Sequence, residues 1–206
     1  WETESVAVTS TVLKTTGQTI WETTEKAQKL EKKTTTSGCG QGTVFGDLME
    51  DLDKVHLSNA YNLSQDVLYG VMDQVRKHES IYKQAGAVHG CALCSNSGEN
   101  RGEILLFVED VGRHNAVDAI AGQMWLHGMT GEDKIFYTTG RLTSEMVIKC
   151  AQMGIPVLVS RSGLTQMGYE IAQKLNITML GRCQGKHYLL YSGTHRFNTL
   201  TNTQFA

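Results

Sequence analysis

The chain has 206 residues, 40% of them apolar and 19% charged, and its 19 basic and 21 acidic side chains give a formal charge of −2. That length holds one large domain, or a domain with a small lobe, and can bury a real core; no apolar run nears the roughly 18 residues a bilayer span requires. Balanced charge gives no global field for a polyanion, which disfavours bulk DNA binding and makes any phosphate contact local.

Five cysteines, an odd number, read as thiols in a reducing cytoplasm rather than as a disulfide framework. The sequence opens at Trp1 without an initiator Met and without the basic and apolar regions of a signal peptide, which predicts a fragment.

Loose alternation over Ser5 to Ser10 and Thr11 to Lys14 suits strand, and Glu22 to Lys33 is helix-like but sparse in apolar residues. Glycines at 38, 40 and 42 surround Cys39, break all periodicity and predict a mobile loop. Val67, Leu68, Val71, Met72 and Val75 then fall at helical spacing behind Ser64, a natural N-cap.

From Ala87 onward strands and helices take turns. The expected strands are Ala87 to Cys94, Glu103 to Val108, Lys134 to Thr138, Pro156 to Ser160, Ile177 to Gly181 and Tyr188 to Ser192. The expected helices are Asn115 to His127, Ser144 to Met153 and Gln166 to Leu175, with Thr143 and Thr165 at cap positions. Runs such as Val157-Leu158-Val159 are apolar on both faces, as strands covered on both sides must be. Pro156 opens a strand, where its missing N–H does least harm. The expected division is a partial N-terminal α+β lobe over residues 1–55, an α/β domain over 56–193 and an extended or disordered polar tail over 194–206.

His89, Cys91 and Cys94 offer three zinc-type ligands within six residues. A strand, however, puts His89 and Cys91 on one face and Cys94 on the other, and the second motif of a zinc deaminase is missing. Buried core thiols are the alternative, and no stably bound zinc is expected. Cys39 is different: a glycine-rich loop can carry a thiol to a partner, and Lys32 and Lys33 would favour its thiolate. An incidental loop cysteine is the competing reading.

Three strand-to-helix junctions carry polar clusters: Glu109 to Asn115, Thr139 to Glu145 and Ser160 to Thr165. Such junctions are where α/β folds place ligands, and helix starts there can offer N–H groups to an anion, although ordinary capping and solvated ion pairs explain the same residues. Two of the clusters hold Arg141 and Arg161, which together imply a phosphate-sized pocket. Arg182-Cys183-Gln184-Gly185-Lys186-His187 places Arg, Lys and His about a glycine between the last two strands, suited to a pyrophosphate or to a charged hairpin turn.

Glu109-Asp110-Val111-Gly112-Arg113-His114-Asn115, Gly140-Arg141-Leu142-Thr143-Ser144-Glu145, Gly154-Ile155-Pro156-Val157-Leu158 and Gly181 through His187 resemble the formate dehydrogenase accessory sulfurtransferases, the FdhD family. The resemblance covers about Ser37 to Ser192 and implies a cytidine-deaminase-like layered α/β/α domain without the deaminase zinc. It further implies that persulfide sulfur is accepted from a cysteine desulfurase and passed to the molybdenum cofactor, bis-molybdopterin guanine dinucleotide, for formate dehydrogenase. Ser37-Gly38-Cys39-Gly40-Gln41-Gly42 fits the family's carrier loop, which makes Cys39 the carrier; Gly42 stands where the family has a second cysteine. Arg182, Cys183, Gln184, Gly185, Lys186 and His187 would hold the guanine dinucleotide, with Arg113, His114 and residues 141–144 as neighbours. A homodimer is implied as well. The competing functions are a binding-only chaperone for formate dehydrogenase maturation and a zinc hydrolase.

Overall fold

The computed structural model describes residues 55–78, 84 and 86–199, together with two short paired strands, β1 (Thr35–Thr36) and β2 (Thr43–Val44). Residues 1–47 and 48–206 separate as two compact units. In the first, β1 and β2 pair antiparallel, with Thr36 opposite Thr43. Cys39, the rest of its loop and the expected elements before it lie outside the described residues.

The second unit is built on a six-stranded mixed sheet. Its elements are β3 (Leu63–Ser64), α1 (Gln65–Lys77), β4 (His89–Ser95), β5 (Ile104–Asp110), α2 (Arg113–Leu126), β6 (Lys134–Thr138), α3 (Ser144–Gln152), β7 (Val157–Ser160), α4 (Gln166–Lys174), β8 (Thr178–Gln184), β9 (His187–Ser192) and β10 (Phe197–Asn198). The sheet order is β5-β4-β6-β7-β8-β9. Strands β6, β7 and β8 run parallel, joined through α3 and α4, while β4 and β9 are antiparallel to their neighbours. This α/β arrangement is compatible with the cytidine-deaminase-like class.

The two faces of the sheet follow from strand alternation. Ala92, Cys94, Ile135, Tyr137, Val157, Val159 and Leu180 point to one side, where they meet Leu68, Val71, Met72 and Val75 of α1. Each fully buried side chain of this size stabilises the fold by about 1.5–3 kcal/mol as an upper estimate. Cys91, Leu93, Phe136 and Leu158 are equally buried on the other side, where α2 packs on β4 and β5 and α3 packs between α2 and α4.

Three boundaries differ from expectation for local reasons. Helix α2 begins at Arg113 because Gly112 is its N-cap, and Asp110 Oδ1 ties the turn by accepting from Gly112 N at 2.7 Å and Asn115 Nδ2 at 3.0 Å. Strand β8 runs past Gly181 to Gln184 through a bulge, with Arg182 in the left-handed region at φ 57°. Finally, residues 194–198 of the expected tail carry regular structure: Thr194–Arg196 form a 3-10 turn, β10 pairs with β3, Phe197 enters the core and Arg196 is fully buried. A two-residue strand is too short to show a period, so the polar composition of 194–206 hid it.

Candidate functional site

Parallel strands β6, β7 and β8 end at one edge of the sheet, and β4 begins there. This is the edge where an open α/β sheet leaves a crevice. It gathers the three junctions picked out in the sequence, together with the β8–β9 turn.

Hydroxyl groups stitch those junctions together. Thr138 Oγ1 accepts from Gly140 N at 3.1 Å, Thr139 Oγ1 from Gly90 N at 3.0 Å, and Ser160 Oγ from Ser162 N at 3.0 Å. Ser160 Oγ donates to Gly140 O at 2.7 Å and Ser162 Oγ to Thr139 O at 2.8 Å. Backbone donors are engaged too: Arg161 N reaches Thr138 O, Leu142 N reaches Gly163 O and Arg182 N reaches Ser162 O. The floor of the crevice is therefore rigid, and many of its N–H groups already have partners.

Side chains supply what the backbone does not. A cavity of about 430 Å³ is lined by Arg141, Arg161, Ser162, Gly163, Arg182 and Gln184. Beside it, a second of about 280 Å³ is bounded by Met72, Val75, Phe107, Tyr137, Thr139 and Cys183, and shares Arg161 and Gln184 with the first. The guanidinium of Arg182 lies over Gly163, where a methyl group would meet Nε at 3.7 Å. A non-glycine residue at positive φ inside a strand costs about 1–3 kcal/mol and persists where the surroundings over-determine it, often at functional sites. That strain aims Arg182 at the cavity, and no sequence signal announced it.

The segment 182–187 is brought together as a tight turn: Gln184 pairs with His187, Gly185 takes φ 61°, and Arg182, Gln184, Lys186 and His187 are exposed. Cys183 is 3% exposed and belongs to the core beneath the cavity.

On the α2 side of the same edge, His89, Arg113 and Gly140 are crowded: a methyl at Gly140 would lie 3.3 Å from both His89 Nδ1 and Arg113 Cδ. His114 is buried with Nε2 3.2 Å from Glu145 Oε2, and one helical turn on, Lys149 holds Asp118 at 2.6 Å. Desolvation, with smaller repulsion from Arg113 and Lys149, holds the His114 imidazole below its ordinary value of 6.5, against the pull of Glu145 and Asp118. His89 is lowered by burial and by Arg113. Thr143 and Thr165 both sit at N-caps, but only Thr165 caps with its side chain, accepting from Gly168 N at 3.2 Å.

Four of the five cysteines lie among the described residues, and all four are buried free thiols. Desolvation pushes Cys91 up to about 11 despite a hydrogen bond to Thr138 Oγ1, and pushes Cys94 and Cys183 up to about 12. Burial also raises Cys150, in α3, well above the ordinary thiol value. Cys94 faces the α1 core, whereas the Cys91 thiol meets Thr138 on the other side of the sheet. The C-x-x-C spacing therefore does not bring its two thiols onto one face.

The FdhD/NarQ family model matches residues 2–198. The sulfur carrier protein FdhD of Listeria monocytogenes serovar 1/2a is 34% identical over 167 residues, covering 80% of this chain and 62% of that protein. The protein of the same name from Wolinella succinogenes is 30% identical, covering 81% of this chain and 56% of that one. A crystal structure of a formate dehydrogenase accessory protein from Desulfotalea psychrophila superposes with a TM-score of 0.64 at 32% identity, over 72% of this chain and 62% of that one. The chain thus spans about three-fifths of the length of the Listeria and Desulfotalea proteins.

Proposed function

Since the chain belongs to the FdhD/NarQ family, we propose that it is a sulfur carrier with Cys39 as the carrying residue. The observation that supports this assignment is the burial of the other cysteines. Sulfur transfer needs an accessible thiolate, and Cys91, Cys94, Cys150 and Cys183 are core groups with raised thiol pKa values. Cys39 is the cysteine that remains.

In this reading the Cys39 thiolate attacks the outer sulfur of a persulfide on a cysteine desulfurase. The desulfurase S–S bond breaks, its cysteine leaves as thiolate, and Cys39 becomes a persulfide with no external oxidant. The terminal sulfur then passes to the molybdenum centre of bis-molybdopterin guanine dinucleotide. As the Cys39 S–S bond breaks, conversion of its sulfane sulfur to sulfide takes two electrons, which a molybdenum centre in a reduced state would supply as it is itself oxidised by two units, and Cys39 returns to thiolate. Arg182, Gln184, Gly185, Lys186 and His187 hold the guanine dinucleotide portion, with Cys183 beneath them and Arg141 and Arg161 opposite; guanidinium groups suit a pyrophosphate because they donate in pairs. The product serves formate dehydrogenase in the cytoplasm, and the carrier acts as a homodimer.

One departure favours a second reading. Gly42 occupies the position of a second loop cysteine, which suits a chaperone that binds the cofactor without carrying sulfur. Mass spectrometry after incubation with a cysteine desulfurase and free cysteine separates the two. The carrier reading expects a gain of one sulfur on the Cys39 peptide, absent in Cys39→Ala. An unchanged mass in a chain that still binds guanine nucleotide supports the chaperone.

A further inference from the structure

The far edge of the sheet, opposite the crevice, holds a cavity that the proposed function does not use. Strand β4 ends there at Ser95, beside Lys134 at the start of β6. The cavity, of about 370 Å³, lies among Asn62, Ser64, Asn96, Ser97, Arg101 and Asn198. One wall is the β3–β10 pair, where Ser64 stands opposite Asn198, and the other is the turn joining β4 to β5. Its volume falls within the roughly 300–1,000 Å³ of small-molecule sites, and all six of these side chains are polar.

Hydrogen bonds set the shape of the turn. Ser95 Oγ donates to Ser97 O at 3.1 Å, Ser97 Oγ to Asp133 Oδ2 at 2.5 Å, and Asn96 N to Asp133 O at 2.8 Å. Gly102, at φ 88°, turns the chain back so that its N–H reaches Ser95 O at 2.8 Å. Arg101 then crosses to the other wall: its Nη2 donates to Asn62 O at 2.7 Å and lies 3.5 Å from Asn96 Oδ1.

Two donors in this turn call for a ligand. Asn96 is 2% exposed, yet its Nδ2 has no hydrogen-bond partner among the described residues. Turning the amide over does not rescue it, because Nδ2 would then face a guanidinium, which has donors alone. A buried donor without an acceptor is costly, and a ligand oxygen removes that cost. Arg101 is the second donor: its contacts to Asn62 and Asn96 both use Nη2, which leaves Nε and Nη1 for a charged acceptor.

Charge narrows the ligand class. The Asp66 carboxyl, in the first turn of α1, is lowered chiefly by a hydrogen bond from Ser64, with a smaller pull from Arg101. That carboxylate already offsets part of the Arg101 charge, which suits one added negative charge and disfavours the two of phosphate. The amides and hydroxyls around it can pair with further polar groups of a small acid. We propose that this cavity binds the carboxylate of a small polar organic acid, held by Arg101 and the Asn96 amide. The site lies at the opposite end of β4 from the crevice and does not depend on the carrier role of Cys39.

An NMR titration of the full chain tests it, with L-lactate, lactamide and inorganic phosphate as probes. L-Lactate is expected to shift the Asn96 side-chain amide signals saturably. Lactamide, which lacks the charge, is expected to bind at least about tenfold more weakly, because a charged hydrogen bond becomes a neutral one. Phosphate is expected to be the weaker anion. Arg101→Gln, at an exposed position, lowers lactate affinity about tenfold, whereas Arg101→Lys recovers part of it. Absence of saturable lactate binding, or equal binding of lactate and lactamide, overturns the proposal without recourse to any variant. Lactate affinity unchanged in Arg101→Gln, or saturation that leaves the Asn96 side-chain signals in place, overturns the site. Phosphate binding tighter than lactate overturns the carboxylate assignment.

Discussion

Treating the folded chain with N-ethylmaleimide sorts its five cysteines by chemistry. The reagent reacts with thiolate, so the initial rate at each site scales with the ionised fraction and with access. At about pH 7.5 an ordinary thiol near 8.5 is ionised to about a tenth. Cys91, pushed up to about 11, is ionised to about 0.03%, and Cys94 and Cys183, at about 12, to about 0.003%. Ionisation alone therefore slows these sites by about 300-fold to 3,000-fold relative to a free cysteine, and burial slows them further. Peptide mapping over a time course is expected to show one modified cysteine, Cys39, while the chain stays folded, and all five once denaturant is added. Modification of Cys91, Cys94, Cys150 or Cys183 in the folded chain at the rate of free cysteine would refute the elimination that assigns sulfur carriage to Cys39.

Two further perturbations test the fold. Gly193 sits at φ 71°, and a methyl there would lie 2.4 Å from Thr178 Cα and Oγ1; Gly193→Ala is expected to cost about 2–4 kcal/mol in urea unfolding, and a change within about 0.5 kcal/mol would contradict the close approach of β9 to β8. His114 and His89 are both held below 6.5 in the folded chain. The unfolded chain therefore binds more protons as pH falls through that value, and stability drops on acidification until the folded chain is protonated too. His114→Gln is expected to flatten the fall measured by urea titration between pH 7 and pH 5, and an equal slope in the variant would remove His114 from the account.

Much of the second unit was legible because its residues obey a period. The apolar runs of β6 and β7 and the caps at Thr143 and Thr165 place those elements within a residue or two of where they lie. What stayed hidden is what periodicity does not encode. The bulge at Arg182 depends on the backbone twisting out of register, with Gly181 tight against Tyr191 and Ser162 O, and such a turn of φ leaves no mark on the alternation of side chains. The conspicuous Cys91 and Cys94 drew attention by spacing alone, whereas β4 spends both thiols in packing. Arg141 and Arg161 were legible as partners in one pocket because both follow strands of a parallel run, and the order of β6, β7 and β8 adds Arg182 to the same rim.

The hydroxyl stitching of the strand ends separates the crevice into a floor and a set of reading heads. Thr138, Thr139, Ser160 and Ser162 bind the loops to one another, so the guanidinium groups above them can be exchanged without unpicking the turns that carry them. Changing Arg141, Arg161 or Arg182 one at a time would therefore alter the charge that lines this edge, while the scaffold beneath keeps its shape.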